Sequence, residues 1–158
     1  KEGSQMNKTE WYASLCAQLE ALLDEPQRPL TVLANASALL YDALPDVNWA
    51  GFYLYDRSMR ELYLGPFQGK PACMRIPYGK GVCGCALAQQ KTLRVEDVLS
   101  FPGHIACDSA SRSEIVLPLI KKDTCIGVLD IDSARFARFD ETDEHGLRSF
   151  ADVLIRHL

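Results

Sequence analysis

Apolar positions follow a helical period at the start of the chain. They recur every three or four residues from Trp11 to Leu23, the spacing of a helix with one buried face. Asn7 precedes this segment, and Glu10 follows three residues later, a pattern typical of a capping box. These positions predict a first amphipathic helix over about residues 8–24.

Two further segments have the same period. Pro29 stands where a second helix can begin, and Pro45 ends the apolar face that follows it. Near the C-terminus, Asp140 is a predicted N-cap, and acidic residues in the next turn suit the positive end of the helix dipole. Apolar residues from Leu147 to Ile155 give this last helix a buried face.

Between these helices the pattern changes to short, aromatic or β-branched segments, which favour strands. Six strands are predicted, over residues 48–55, 61–67, 72–76, 92–95, 113–121 and 124–132. A short helix is predicted at 82–90 despite Gly84, and residues 96–112 show no periodicity. Tight links between strands at both ends favour an antiparallel sheet over alternating βαβ units.

The predicted fold class is therefore α+β, with one domain built on a six-stranded antiparallel sheet. The N- and C-terminal helices would cover one face of this sheet. The other face would hold the short helix, the long loop and a ligand pocket. A length of 158 residues suits one compact domain.

Composition narrows the class of protein. Apolar residues make up 47% and charged residues 24%, the balance of a globular protein, and no apolar run approaches the roughly 20 residues of a membrane span. The net charge of -4 and the scattered basic residues argue against nucleic acid as a partner. No membrane association is expected either.

The first five residues, 1–5, look like a cloning remnant, with Met6 the native start and 6–158 the domain. No apolar signal peptide follows Met6, so a cytoplasmic location is expected. In a reducing compartment the six cysteines are better interpreted as apolar packing, metal ligands or catalytic thiols than as three structural bridges.

Cys107 differs from the other cysteines in its surroundings. It lies three residues after His104 in a loop that Pro102 and Gly103 open, and such loops often display reactive groups. Cys73 and Cys83 could each close a disulfide with Cys107, or with each other, if the fold brings them within reach. Two other cysteines, Cys16 and Cys125, are predicted to be inert packing.

Three acidic residues form a second candidate cluster. Asp130 and Asp132 lie two apart at the end of a predicted strand and so share one face, and Glu114 begins the preceding strand. A three-residue hairpin loop would bring Glu114 to the same face, whereas a two-residue loop would turn it away. Pro118 hints at a bulge that could change this parity.

If the three carboxylates converge, they would attract an ammonium group, and their repulsion would keep one of them protonated near neutral pH. Solvated strand ends are the alternative. Trp49, at the start of the first strand, is interpreted either as core or as the wall of a pocket for a methyl group.

Taken in order, these residues resemble the free methionine-R-sulfoxide reductase family, which is a family of GAF-domain enzymes. The resemblance runs from about Asn7 to Leu158. It is carried by segments 48–53, 65–73, 76–84, 103–108, 113–118 and 126–133, together with Asp97. The family implies a six-stranded antiparallel sheet with helices on one side and the pocket on the other.

The resemblance also implies roles for individual residues. Cys107 is implied as the catalytic thiol, Cys73 as the main resolving thiol and Cys83 as an additional redox thiol. The substrate-binding residues that it implies are Trp49, Glu114, Asp130 and Asp132. Cys85 departs from the expected pattern and leaves open which disulfide accumulates.

The expected reaction is the reduction of free methionine sulfoxide by cysteine sulfenic acid and disulfide chemistry. Thioredoxin, and ultimately NADPH, would supply electrons, with no bound cofactor and no metal. The sequence leaves open whether the protein forms a homodimer. Two rival hypotheses are a GAF module that senses a small molecule without catalysis, and a structural zinc site formed by Cys83, Cys85, His104 and Cys107.

Overall fold

The structure is a computed structural model that describes residues 6–105 and 110–158. Its helices in this part of the chain are α1 Lys8–Leu22, α2 Pro29–Ala43, α3 Gly81–Gln89 and α4 Glu141–Arg156, with a 3₁₀ turn at Val98–Ser100. Its strands are β1 Trp49–Asp56, β2 Glu61–Gly69, β3 Arg75–Pro77, β4 Leu93–Val95, β5 Ser113–Lys121 and β6 Thr124–Ser133. No helix of the described residues has the length and apolar character needed to cross a bilayer.

The six strands form one sheet in the order β3-β2-β1-β6-β5-β4, and every neighbouring pair is antiparallel. Two hairpins, β1–β2 and β5–β6, supply the centre of the sheet. They meet along β1 and β6, so the last strand lies beside the first. The predicted α+β class and six-stranded antiparallel sheet are confirmed.

Alternation along the strands separates two apolar cores. On β1, Ala50 and Phe52 face a core that α1, α2 and α4 complete, while Trp49 and Tyr53 face a smaller core completed by α3. Successive side chains of a strand point to opposite faces, so one sheet serves both cores. The terminal helices therefore lie on one face, as predicted, and the other face is left for a pocket.

The third strand is shorter than predicted and begins at Arg75. The expected start, near residue 72, belongs to a loop whose backbone bonds to side chains instead of to a strand. The indole N–H of Trp49 donates to the carbonyl of Lys70, and the hydroxyl of Tyr53 donates to that of Cys73. These contacts satisfy carbonyls that a sheet ladder would otherwise need to pair.

The β5–β6 hairpin combines a short turn with a bulge. Its turn has two residues, Lys122 and Asp123, both with left-handed backbone (φ 50° and 64°), the conformation that suits a two-residue hairpin loop. A register shift beyond Leu119 leaves Ile126 as an extra residue in β6. The turn alone would direct Glu114 to the wrong face, and the bulge restores its parity.

Helix α3 packs closely against the end of β3 because Gly84 has no side chain. A Cβ at that position would lie 2.7 Å from the carbonyl oxygen of Pro77. The backbone N–H of Gly79 also donates to the Gly84 carbonyl at 3.1 Å. The glycine that disfavours the helix in the sequence is thus needed for its docking.

A buried ionic cluster joins α1 to α4. Asp143 is only 1% exposed, and it accepts hydrogen bonds from the Tyr12 hydroxyl at 2.7 Å and from Arg138 Nη1 at 3.3 Å. Lys8 Nζ lies 2.7 Å from the same carboxylate. The sequence pattern places Asp143 in the first turn of the helix, where it completes a capping box with Asp140. Because it is also buried, it holds α1 and α4 together through these contacts.

Replacing Asp143 by Ala is expected to lower the free energy of unfolding by about 3–5 kcal/mol, because the buried guanidinium of Arg138 loses its carboxylate. Urea denaturation at pH 7, followed by circular dichroism, measures this change. Glu144→Ala is the matched control on the next residue. Its partly exposed pair with Arg94 is worth no more than about 1 kcal/mol. Equal losses for the two variants would contradict the prediction.

Candidate active site

The three acidic residues converge on the cavity side of the sheet. Glu114 lies directly opposite Asp132 across the β5–β6 pair, and Asp130 lies opposite Val116, so it is the diagonal neighbour of Glu114. Their intervening neighbour Ile131 points into the core on the helix side. Of the two alternatives that the sequence left open, the structure therefore has the converging one, and the predicted roles of these residues remain predictions.

Burial makes this cluster unusual. Glu114 is 7% and Asp130 5% exposed. Desolvation by burial, followed by the nearby charge of Asp132, raises the pKa of Asp130 to about 7. Desolvation and the charge of Asp130 raise the pKa of Glu114 well above its ordinary value. These effects favour the protonated form of Glu114, which can donate a hydrogen bond, and a pKa of about 7 leaves Asp130 partly ionised at neutral pH.

The three acids line a small cavity, in which the centre of a water molecule could move through a volume of about 40 Å³. The other described residues that line it are Trp49, Tyr53, Pro71, Ala72, Ile76, Val82, Cys83, His104, Ile105 and Ser111. Most of this lining is apolar, and its acidic groups are the carboxyl groups of Glu114, Asp130 and Asp132. Such a division suits a small ligand with one charged end and one apolar end.

Two aromatic residues of β1 shape the cavity. Trp49 stacks against Tyr53, with ring centroids 5.9 Å apart, and against Phe67 at 5.2 Å. Its indole N–H donates to the carbonyl of Lys70 at 3.1 Å, which fixes the ring. Trp49 is thus both part of a core and a cavity wall. Tyr53 was not among the predicted site residues, although the two-residue period from Trp49 places it on the same face.

Cys83 lies in the first turn of α3, where its side chain enters the cavity. Its Sγ is 3.9 Å from Oε2 of Glu114, and the residue is 4% exposed. Burial, followed by the charges of Asp130 and Glu114, raises the pKa of this thiol well above its usual range. Cys83 is therefore a protonated, weakly nucleophilic thiol in this state.

Cys85 takes a different direction. Its Sγ approaches the carbonyl of Gly79 at 3.5 Å, and the residue does not line the cavity. Cys83 and Cys85 thus diverge, as their spacing on a helix predicts. The rival zinc site, which required both thiols, is not supported by this arrangement.

Cys73 is half-buried and is packed against the core on the cavity side. It is a disulfide-bonded cysteine, whereas Cys16, Cys83, Cys85 and Cys125 are free thiols. The hydroxyl of Tyr53 holds its carbonyl at 2.9 Å. This bond fixes the backbone of Cys73 next to Ala72, which lines the cavity, and the predicted resolving role of Cys73 stays a prediction.

Cys107 lies outside the described residues, so its predicted catalytic role stays a prediction. The described residues on either side of it reach the cavity, with His104 and Ile105 before it and Ser111 after it. Burial lowers the pKa of His104, so this imidazole is neutral at pH 7.

Cys16 and Cys125 behave as the packing residues that the sequence predicts. Neither lines the cavity. Desolvation by burial raises the pKa of both thiols, which keeps them protonated and unreactive.

Ser111 and Asn48 were missed by reasoning from sequence. Nδ2 of Asn48 donates to Oγ of Ser111 at 3.2 Å, and this bond ties the start of β1 to the segment before β5. Ser111 is buried and lines the cavity. No periodic signal could reveal it, because it lies in a stretch without regular structure.

Comparison with known proteins agrees with this geometry. The GAF domain family model matches residues 28–158. Free methionine-R-sulfoxide reductase of Escherichia coli is 59% identical over 94% of this chain and 89% of its own length. The enzyme of that name from Saccharomyces cerevisiae is 43% identical over 96% of this chain and 87% of its own.

Among solved structures, free methionine-R-sulfoxide reductase from Neisseria meningitidis, in complex with its substrate, superposes with a TM-score of 0.93. It is 46% identical and covers 98% of this chain and 92% of its own. The substrate complex of the Staphylococcus aureus protein has a TM-score of 0.88 at 47% identity, over 93% and 95% of the two chains. The chain therefore belongs to the GAF domain family and, within it, to the free methionine-R-sulfoxide reductases.

Proposed function

We propose that this protein reduces free L-methionine (R)-sulfoxide to L-methionine, with Cys107 as the attacking thiol. One observation carries the proposal: Glu114, Asp130 and Asp132 converge in a buried cavity that Trp49 also lines. The high identity to reductases of this name supports the choice of reaction and of epimer.

The acids would bind the polar part of the substrate. An ionised carboxylate attracts the ammonium of a free amino acid, and the protonated carboxyl of Glu114 can donate to the sulfoxide oxygen. Because both kinds of group lie on one wall, the substrate's charged end and its S=O group would face the same strands. A peptide-bound methionine has no ammonium there and would leave buried acids without a partner.

Trp49 would receive the methyl group of the sulfoxide. Its ring is fixed by stacking on Phe67 and Tyr53 and by its bond to the Lys70 carbonyl. A fixed aromatic side chain beside the acids, with Trp49 paired to Asp132 across β1 and β6, would hold the methyl group and so orient the sulfur. The preference for the R epimer is supported by the identity to reductases of that name.

The chemistry then proceeds at sulfur. A hydrogen bond from a protonated acid makes the sulfoxide sulfur more electrophilic, and the thiolate of Cys107 attacks it. The attack forms a bond between the two sulfurs. The protonated oxygen then passes as hydroxyl to the sulfur of Cys107 while the sulfur–sulfur and S–O bonds of the adduct break, so methionine leaves and Cys107 becomes a sulfenic acid. The thiol of Cys73 condenses with the sulfenic acid to a disulfide, with loss of water. The substrate gains two electrons and the pair of thiols loses two.

A dithiol reductant of the thioredoxin type, supplied with electrons from NADPH, would restore both thiols. Cys83 serves as an additional redox thiol in this scheme. Its raised pKa makes it a weak nucleophile, which supports Cys73 as the main resolving thiol. No bound organic cofactor and no metal take part in the reaction.

Cys107→Ser is expected to abolish methionine formation from free sulfoxide, because serine cannot form the sulfenic acid. Chromatographic measurement of methionine checks this, and Cys85→Ser is the control, since Cys85 does not line the cavity. Thiol titration adds a second measurement: the wild-type protein should lose two thiols for each methionine formed. A GAF module that only binds a ligand would lose none. Full activity of Cys107→Ser would refute the assignment.

Cys73→Ser is expected to form about one methionine per chain and then to stop when thioredoxin, thioredoxin reductase and NADPH are the reductants. The sulfenic acid of Cys107 then has no main partner with which to form a disulfide. Counting methionine against enzyme concentration measures this limit. Cys83→Ser in the same assay should retain multiple turnover. The reverse outcome would make Cys83 the resolving thiol.

Asp130→Asn is expected to stabilise the protein at pH 8 while weakening substrate binding. Its folded pKa, about 7, exceeds the unfolded value, so the folded state holds the extra proton. The free energy of unfolding therefore falls as pH rises from about 4 to 7. The amide avoids this loss, about 4 kcal/mol at pH 8, and KM should rise at least tenfold.

Urea denaturation from pH 5 to 8 measures the stability of this variant, and steady-state kinetics measures KM. Asp42→Asn, at an exposed position of α2, is the matched control and should change neither quantity. A loss of stability at pH 8 would show that ionised Asp130 stabilises the fold, against the prediction.

A further inference from the structure

Three ligand atoms of different side chains meet at the floor of the cavity. The Sγ of Cys83 and one carboxylate oxygen each from Glu114 and Asp130 lie within 4.8 Å of one another. All three side chains are buried. They come from α3, β5 and β6, so the packing of α3 on the sheet brings them together.

The donor set and spacing suit a zinc ion. A thiolate with two carboxylate oxygens combines ligand types that Zn²⁺ accepts, at about 2.3 Å for sulfur and about 2.0–2.2 Å for oxygen. Tetrahedral angles at those lengths place sulfur and oxygen about 3.6 Å apart. The distance from Cys83 Sγ to Glu114 Oε2 is 3.9 Å, so a small shift of either side chain is enough.

A second observation points to a missing ligand. Oδ1 of Asp130 is fully buried and has no hydrogen-bond partner among the described residues. A buried carboxylate oxygen without a partner is costly, and it calls for a cation or a donor from outside the chain. Asp130 is one of the residues that line the cavity.

The described lining of the cavity contains no lysine or arginine that could balance these acids. His104 is the only basic side chain among the described lining residues. A dipositive ion would supply the missing positive charge, and His104, Asp132 or water could complete four-coordination. The three groups would then act as metal ligands, and their protons would be released to solvent.

We propose that Cys83, Glu114 and Asp130 form a Zn²⁺ site at the floor of the substrate cavity and that zinc bound there excludes the sulfoxide. The ion is an inhibitor that occupies the place of the substrate's polar end. It is no part of the reaction. The binding site stands on geometry alone, whereas competition with the sulfoxide rests on the proposed function.

Cys73 and Cys107 are thiols that zinc could bind instead, and one variant separates the two cases. The double variant Cys73→Ser/Cys107→Ser should keep one zinc per chain with unchanged affinity, because neither residue is a proposed ligand. Cys83→Ser and Asp130→Asn should each weaken zinc binding at least tenfold. Competition against a chromophoric zinc chelator, at fixed pH and with reduced protein, measures all of these affinities.

Cys85→Ser is the matched control, because it removes a thiol two residues along the same helix that does not line the cavity. Its zinc affinity should equal that of the wild type. Co²⁺ provides a measurement that depends on no variant. Cobalt bound to wild-type protein should show thiolate-to-cobalt charge-transfer absorption in the near ultraviolet. Absence of that band in the cobalt complex would overturn the proposal.

Unchanged zinc affinity in Cys83→Ser, or its loss in the double variant, would also overturn the site. Free methionine sulfoxide should displace zinc from the wild type, and zinc should raise KM without changing kcat. If zinc binds through Cys83 but sulfoxide does not displace it, the metal site stands and the proposed substrate pose fails. If reductase activity is intact but zinc does not bind, the metal site alone fails.

Discussion

The burial of carboxylates on the inner strands of one sheet is the constraint on which the rest of the structure depends. Glu114 and Asp130 lie on β5 and β6, whose opposite face packs against the terminal helices. Their neighbours Ile115 and Ile131 hold that face in the apolar core. The acids cannot turn away from the cavity without pulling these residues out of the core. The stability of the core on the helix side therefore keeps the carboxyl groups buried on the cavity side.

The same constraint explains why the floor of the cavity is chemically adaptable. Buried acids that cannot all ionise hold protons, and groups that hold protons can exchange them for a cation. The proposed ammonium group and the proposed zinc ion would each supply positive charge next to the acids, where the described lining has no lysine or arginine. In the proposed function, the apolar lining around Trp49 would limit what the rest of a ligand can be.

Much of the fold could be predicted from periodicity. The helices and the strong hairpin strands have clear patterns, and their bounds agree within a few residues. No periodic pattern marks the 3₁₀ turn at Val98–Ser100 or the start of β3 at Arg75. Side-chain bonds to the backbone decide these regions: Asp97 caps the turn, and aromatic residues of β1 hold the loop before β3. Such contacts join distant parts of the chain.

The candidate site shows the same limit. Parity along β6 placed Asp130 and Asp132 on one face, but the position of Glu114 depended on loop length and on a bulge. The two-residue turn and the extra residue Ile126 have opposite effects that cancel. Pro118 hints at a bulge in the sequence, but the length of the turn and the position of the bulge required the structure. Tyr53 could have been found from alternation, whereas Ser111 required the tertiary structure.

The loop that carries Cys73 is held through its backbone. The indole N–H of Trp49 donates to the carbonyl of Lys70, and the hydroxyl of Tyr53 donates to the carbonyl of Cys73. Neither hydrogen bond involves the sulfur of Cys73. The anchor is therefore indifferent to whether the thiol is reduced, oxidised or joined to another protein. A cysteine held in this manner can change its covalent partner repeatedly while its backbone stays in the same position.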